Sequence, residues 1–297
     1  MKNKGILLAI TASVISGISI FSNTVFVSSA DPLIFSIVRN GVVALMFTSI
    51  LISFNQFRRL RTLTKREWGM LAIIGIIGGG IPFALFFSGL AMIGAVSGNI
   101  LQKTLFLWVA LLAVPILKER ISRLQLVGYI TLFVGMFVTG GTYKLIPSTG
   151  SYLILAATIL WAAENIIAKV TLKRVPSLIV AWGRMIFGLP CLIIASVIVG
   201  KYPLLFVPAS YTLVPIVVSS VLLVAYMSTW YAALKRAPAT LVSSLLVFAP
   251  VITAICSSTI LHRAMTEQQM TNIALLTIGT FVIAAGVRQE KRQSVDL

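Results

Sequence analysis

Apolar residues fill the chain in blocks of roughly 20, each closed by a short cluster of glycine, proline, serine or basic residues. Blocks of that length suit helices that cross a bilayer. Reading hydropathy against this punctuation predicts ten spans, at residues 5–27, 33–53, 68–91, 94–116, 124–141, 150–170, 177–199, 211–233, 240–261 and 270–287. No interval between them is long enough to fold as a soluble domain. The expected fold class is therefore an all-α integral membrane protein with ten transmembrane helices.

The N-terminal MKNKGILLAI, followed later by Ser28-Ser29-Ala30, has the outline of an export signal. The apolar run from Gly5 to Val27 exceeds the roughly 7–15 residues of a signal core, so it reads as an uncleaved first helix.

Composition agrees with this picture. The chain of 297 residues is 58% hydrophobic and 10% charged, with a mean hydropathy of +1.02. Soluble domains average about 45–50% apolar and about 25% charged residues. A net charge of +17 raises nucleic acid as a partner, but the basic residues lie in short clusters between apolar runs. With the N-terminus inside, 18 of the 24 Lys and Arg residues fall in cytoplasmic segments and 3, Lys144, Lys201 and Arg263, fall outside. That bias is the positive-inside signal, and it predicts both termini in the cytoplasm. No nucleic-acid partner is expected; the bilayer is. Cys191 and Cys256 lie inside spans and form no ligand pattern, so they read as packing residues.

A shift of about 144 residues superposes landmarks. Pro32 meets Pro176, Gly135 meets Gly279, and Arg39 falls within one residue of Arg184. Chance agreement among apolar helices is the plain alternative. As a repeat, it divides the chain into residues 1–145 and 146–297 with five spans each, and an odd number forces the halves into opposite orientations. Inverted repeats with a site near the midplane are a recurring transporter plan.

The remaining basic residues, Arg39, Lys103 and Arg184, lie within spans, where a charge costs about 2.5–3.5 kcal/mol. Lys103 sits ~14 Å from the outer end of its helix and ~20 Å from the inner, too far to reach water along the helix. Arg39 and Arg184 are only ~9–10 Å from an end. Asn99, Gln102, Lys103 and Phe106 share one helical stripe, expected to face a polar cavity. Trp161, Glu164, Asn165 and Ala168 make the matching stripe on the sixth span.

Glu164 is the one carboxylate within any predicted span, and Arg184 or Lys103 could pair with it. The pair is either a buried ion pair fixing helix register or a site where Glu164 exchanges a proton or bridges substrate. Three bases and one acid leave the spans with spare positive charge, which favours an anionic ligand group and disfavours lipophilic cations. Among Trp108, Trp161, Trp182, Tyr226 and Trp230, the first expectation is interfacial or interhelical packing. Trp161 and Tyr226, well inside their spans, are the stronger pocket candidates, and Trp230 joins them as a substrate-binding candidate. Gly78-Gly79-Gly80-Ile81-Pro82 predicts a bend, because Pro82 cannot donate to the Gly78 carbonyl. With Pro190 and Pro250, these residues are candidate hinges or, equally, packing features.

The stretches WYAALKRAPATLVSSLLVFAPVITAI (230–255), PILKERISRLQLVGYITLFVG (115–135) and ILWAAENIIAKV (159–170) resemble the drug/metabolite transporter superfamily, in particular its EamA-type members. Ala233–Ala239 and the Lys118-Glu119-Arg120 end of the fourth span carry most of the likeness. The resemblance implies ten helices in two five-helix repeats and a role in exporting amino acids or other metabolites. Two departures stand out: Gly17 occupies the place of the family's tryptophan, present at Trp161, and His262-Arg263 replaces its Gly-Glu pair.

Other chemistry is not encoded. There is no phosphate-cradling GxxxxGK[ST] loop, and the single His262 leaves no multi-histidine metal site or His-based triad. The expectation is a non-enzymatic secondary transporter without metal or cofactor, in a prokaryotic plasma membrane. Its partners would be a small polar substrate and a proton or an exchanged metabolite. A phosphorylated-metabolite or nucleotide-sugar exchanger and a lipid-handling scaffold are the rival readings.

Overall fold

The computed structural model describes residues 2–26, 31–140, 147–206, 213–262 and 265–293; within these, the side chains of 2–3, 24, 26, 95–97, 99–100, 136–140 and 287–293 are outside the description. The described chain is helical with short connections. Its α-helices are α1 (Lys2–Phe26), α2 (Pro32–Ser53), α3 (Lys65–Ile74), α4 (Ile81–Lys103), α5 (Leu105–Leu117), α6 (Arg123–Gly140), α7 (Thr149–Thr171), α8 (Ser177–Ile198), α9 (Leu213–Arg236), α10 (Ala239–Leu246), α11 (Ala249–Ile260) and α12 (Glu267–Gln293). Eight helical stretches are long and apolar enough to cross a membrane, and Leu101–Leu117 and Arg123–Gly135 supply two shorter ones. Ten helices in two inverted repeats account for the whole.

Local chemistry sets the helix ends. The Asp31 carboxylate accepts from Leu33 N at 3.0 Å and Ile34 N at 3.2 Å, and Pro32 needs no donor in the first turn. Thr64 and Glu67 form a reciprocal capping box on α3. Ser122 and Gln125 do the same at the start of α6, and Thr266 and Gln269 repeat the motif 144 residues later before α12.

The structure corrects three expectations. The third and fourth spans are joined by Gly94 alone, at φ 79 and ψ 163, a conformation open to a residue without Cβ. The fourth span breaks at Thr104, where Thr104 N bonds Leu101 O and Leu107 N bonds Thr104 O. The Thr104 hydroxyl also bonds back to Leu101 O at 2.6 Å, competing with the helix. The ninth span breaks in the same pattern at Phe248, with Phe248 N on Leu245 O and Val251 N on Phe248 O. Pro250 falls in the first turn of α11, where its missing N–H costs nothing.

Between α3 and α4 the chain adopts a π-helical turn at Gly75–Gly80. A Cβ on Gly78 would lie 2.5 Å from Glu164 Cγ, and one on Gly79 2.4 Å from the Arg184 carbonyl. The triple glycine is thus a seam that brings this span against α7 and α8.

The most extensive packing joins helices of different halves: α1 with α9, α4 with α7, α2 with α8, and α6 with α12. Gly89 of α4 faces Gly150 of α7, and Gly128 of α6 faces Gly279 of α12, each close enough for Cβ-to-carbonyl distances of 3.1 Å or less. The core contains Phe47, Phe106, Leu132, Ile179 and Tyr231, while Leu45, Leu111 and Phe281 point outward as lipid contact requires.

Candidate functional site

The breaks at Thr104 and Phe248 open the centre of the bundle. A cavity of about 700 Å³ lies there, with Lys103, Glu164, Arg184, Trp161, Tyr226 and Trp230 in its wall. Gln102, Asn165 and Pro250 also line it. The side chain of Asn99 lies outside the described residues.

Glu164 is fully buried and pairs with Arg184, not with Lys103. Arg184 Nη1 lies 3.4 Å from Glu164 Oε2 and 3.3 Å from the Tyr231 hydroxyl. Tyr231 donates to Glu164 Oε1 at 2.5 Å. Arg184 Nη2 donates to the Gly78 carbonyl at 2.9 Å, and so does Trp161 Nε1. That carbonyl is available because Pro82, four residues on, has no N–H to offer it. A second bridge ties α7 to α9: Trp230 Nε1 donates to Asn165 Oδ1 at 3.1 Å, and Asn165 Nδ2 donates to Trp161 O at 2.9 Å.

Lys103 is different. Its half-buried side chain faces the cavity and makes no hydrogen bond or ion pair to a described residue. Such a cation is costly in an apolar span unless water or an anion meets it.

The cavity reaches Met265, Thr266 and Gln269 at the α11–α12 connection. At the opposite end, Glu119 accepts from Ala239 N at 2.7 Å, Thr240 N at 3.0 Å and the Thr240 hydroxyl at 2.7 Å, capping α10. Lys169 donates to the carbonyls of Leu234 and Ala237 in the same turn. Residues from both halves therefore pin the α9–α10 turn.

Other sequence candidates fall elsewhere. Trp108 donates to the Thr104 hydroxyl, and Trp182 to the Thr48 hydroxyl, so neither lines the cavity. Trp68 packs edge-on against Trp182 and Phe187. The Arg39 guanidinium lies over the Phe35 ring at 5.8 Å. Pro190 is exposed on α8. Tyr231 and Phe83 were absent from the sequence candidates; Tyr231 is distinguished from its neighbours only by the buried carboxylate it reaches. Among the described residues no group of His, Cys, Asp or Glu is placed to hold a metal ion.

The model of the EamA-like transporter family matches residues 3–141 and again 148–285. The chain belongs to that family. This EamA-like transporter is 28% identical over 234 residues to the uncharacterized transporter YyaM of Bacillus subtilis (strain 168), covering 74% of this chain and 73% of the relative. It is 26% identical over 230 residues to a probable amino-acid metabolite efflux pump of Salmonella typhimurium, covering 72% and 75%. A crystal structure 16% identical in sequence superposes with a TM-score of 0.79 over 95% of this transporter and 98% of that chain, which speaks to the fold.

Proposed function

We propose that this EamA-like transporter is a secondary exporter of a small polar metabolite, an amino acid or a related carboxylated compound, working by alternating access through the central cavity. The observation that carries this reading is Lys103: an ammonium group in the cavity wall without a counter-charge among the described residues. A carboxylate supplies that charge directly. The Salmonella relative's name points the same way. Arg184 is engaged by Glu164, Tyr231 and Gly78, which leaves it poorly placed to hold a phosphate and weakens the phosphorylated-metabolite reading.

The protein sits in a prokaryotic plasma membrane with its termini in the cytoplasm, following the distribution of basic residues. In that orientation the Glu119 and Lys169 contacts lie at the cytoplasmic end. Proton coupling would run through Glu164, whose protonation would release Arg184. The triple glycine with Pro82, and the breaks beside Pro250, are the places where halves can rock.

Counterflow of labelled amino acids and carboxylated metabolites into proteoliposomes tests the reading. The wild type exchanges at least one such compound, and Lys103→Ala loses about tenfold or more of its exchange while remaining inserted and folded. Wild-type exchange by Lys103→Ala would remove the basis for the assignment.

A further inference from the structure

Resting on the transporter reading above and deciding between its two substrate classes, we infer that the substrate is the carboxylated compound and not the amino acid: an amphipathic monoanion, one carboxylate on an aromatic or apolar body, without a charged amino group. Three features of the cavity carry this.

The first is charge balance. Glu164 and Arg184 neutralise each other at 3.4 Å, and the Tyr231 hydroxyl occupies the other carboxylate oxygen at 2.5 Å. Lys103 is left as the unpaired charge of the cavity among the described residues. One carboxylate balances it; an added ammonium would bring a second positive charge with no acid to meet it.

The second is the state of the indoles. Both cavity tryptophans have their N–H groups engaged within the protein, Trp161 on the Gly78 carbonyl and Trp230 on Asn165. They turn carbon surface, not donors, toward the cavity. Tyr226 stacks on Trp230 with ring centroids 5.8 Å apart, and Phe83 meets Trp161 edge-on at 5.3 Å. Sugar hydroxyls placed against this wall would lose hydrogen bonds to water and gain few. A flat or aliphatic body gains from it.

The third is the division of the cavity. Ser257, Ser258, Thr266 and Gln269, on either side of the α11–α12 connection, line one part of the wall, and Lys103 with the rings of Phe83, Phe106, Trp161, Tyr226 and Trp230 comes from other elements. The hydroxyl-rich mouth rehydrates an ion as it leaves Lys103 for the outside, and the aromatic wall holds the remainder of the molecule while it is bound.

Three compounds sharing one ring separate the possibilities in proteoliposome counterflow: 3-phenylpropionate, phenylalanine and phenethylamine, with acetate as a carboxylate lacking a body. Exchange of 3-phenylpropionate at least tenfold faster than phenylalanine and acetate at equal concentration, with none for phenethylamine, is the expected result. Trp161→Phe keeps the ring and should retain most 3-phenylpropionate exchange, whereas Trp161→Ala should lose it; if Trp161→Ala does not fold, Tyr226→Ala tests the same wall. Phenylalanine or acetate moving as fast as 3-phenylpropionate would overturn the inference while leaving a carboxylate transporter. No exchange of any carboxylate or amino acid would overturn both readings.

Discussion

The two halves of the molecule share their backbone devices and differ in their chemistry. Gly94 in the first and Pro238 in the second mark the entry to a span that breaks ten residues later, at Thr104 and Phe248, with the same pair of hydrogen bonds. Each broken span ends on a left-handed residue, Lys118 at φ 56 and His262 at φ 51. Each is followed by a matching capping box. Among the described residues the buried polar lock is not duplicated. Trp161, Glu164, Arg184 and Tyr231 all come from the second half, while the first contributes Gly17, an Arg39 resting over Phe35, the Gly78 carbonyl and Lys103, which has no partner among the described residues. The frame repeats between the halves, and the polar site does not.

Removing one arginine from each half is the sharpest way to test that division. Arg184→Met leaves Glu164 buried without its cation and should destabilise the protein by about 3–5 kcal/mol, whereas Arg39→Met should cost less than about 1 kcal/mol. Thermal unfolding in detergent compares them; equal losses would mean the halves are locked alike. The same comparison extends to pH: Glu164→Gln should flatten the pH profile of exchange if Glu164 couples protons, and an unchanged profile would make the pair structural.

The counterpart of Trp161 gives the next effect. A Cβ on Gly17 would lie 2.5 Å from the Ala249 carbonyl and 2.6 Å from Ile252 Cβ, so Gly17→Ala should cost about 1–3 kcal/mol. Gly41→Ala, which meets only Leu189 Cδ2 at 3.9 Å, should be nearly neutral in the same assay. At the α10 end, Glu119→Ala removes the acceptor of three hydrogen bonds and should lower stability by about 1–2 kcal/mol. The corresponding position of the other half is Arg263, outside the described residues.

The smallest effect lies at the head of α2. Burial pushes the Asp31 carboxyl upward, but the Lys201 ammonium at 2.6 Å and the Leu33 and Ile34 amides together draw it below the usual carboxylate range. Its contribution is therefore present above about pH 4 and fades as pH falls through the lowered value. The pair is partly exposed, so Asp31→Asn should change stability by less than about 1 kcal/mol at neutral pH and by nothing in strong acid. Unfolding curves across pH measure the difference.

The helices were readable because lipid demands long apolar runs, and the positions of Lys103, Glu164 and Arg184 stood out because charge is rare there. The helix breaks were not legible, since Gln102 and Lys103 before Thr104 read as one stripe of a continuous helix and LLVFAPV stays apolar on both sides of Phe248. Tyr231 and Glu119 were hidden for another reason. Their partners lie 67 and about 120 residues away, and only the packing of one half against the other brings them together. Pro82 was the exception, because the loss of a donor to Gly78 follows from covalent structure alone.

That loss has a wider consequence. Proline at position 82 contributes no functional group, yet it withholds one amide from the Gly78 carbonyl, and a guanidinium and an indole from the opposite half settle on that oxygen. A residue chosen for what it lacks thereby welds the two halves together. Restoring an amide there would set the helix in competition with Arg184 for one acceptor, loosening the junction without altering a single charge.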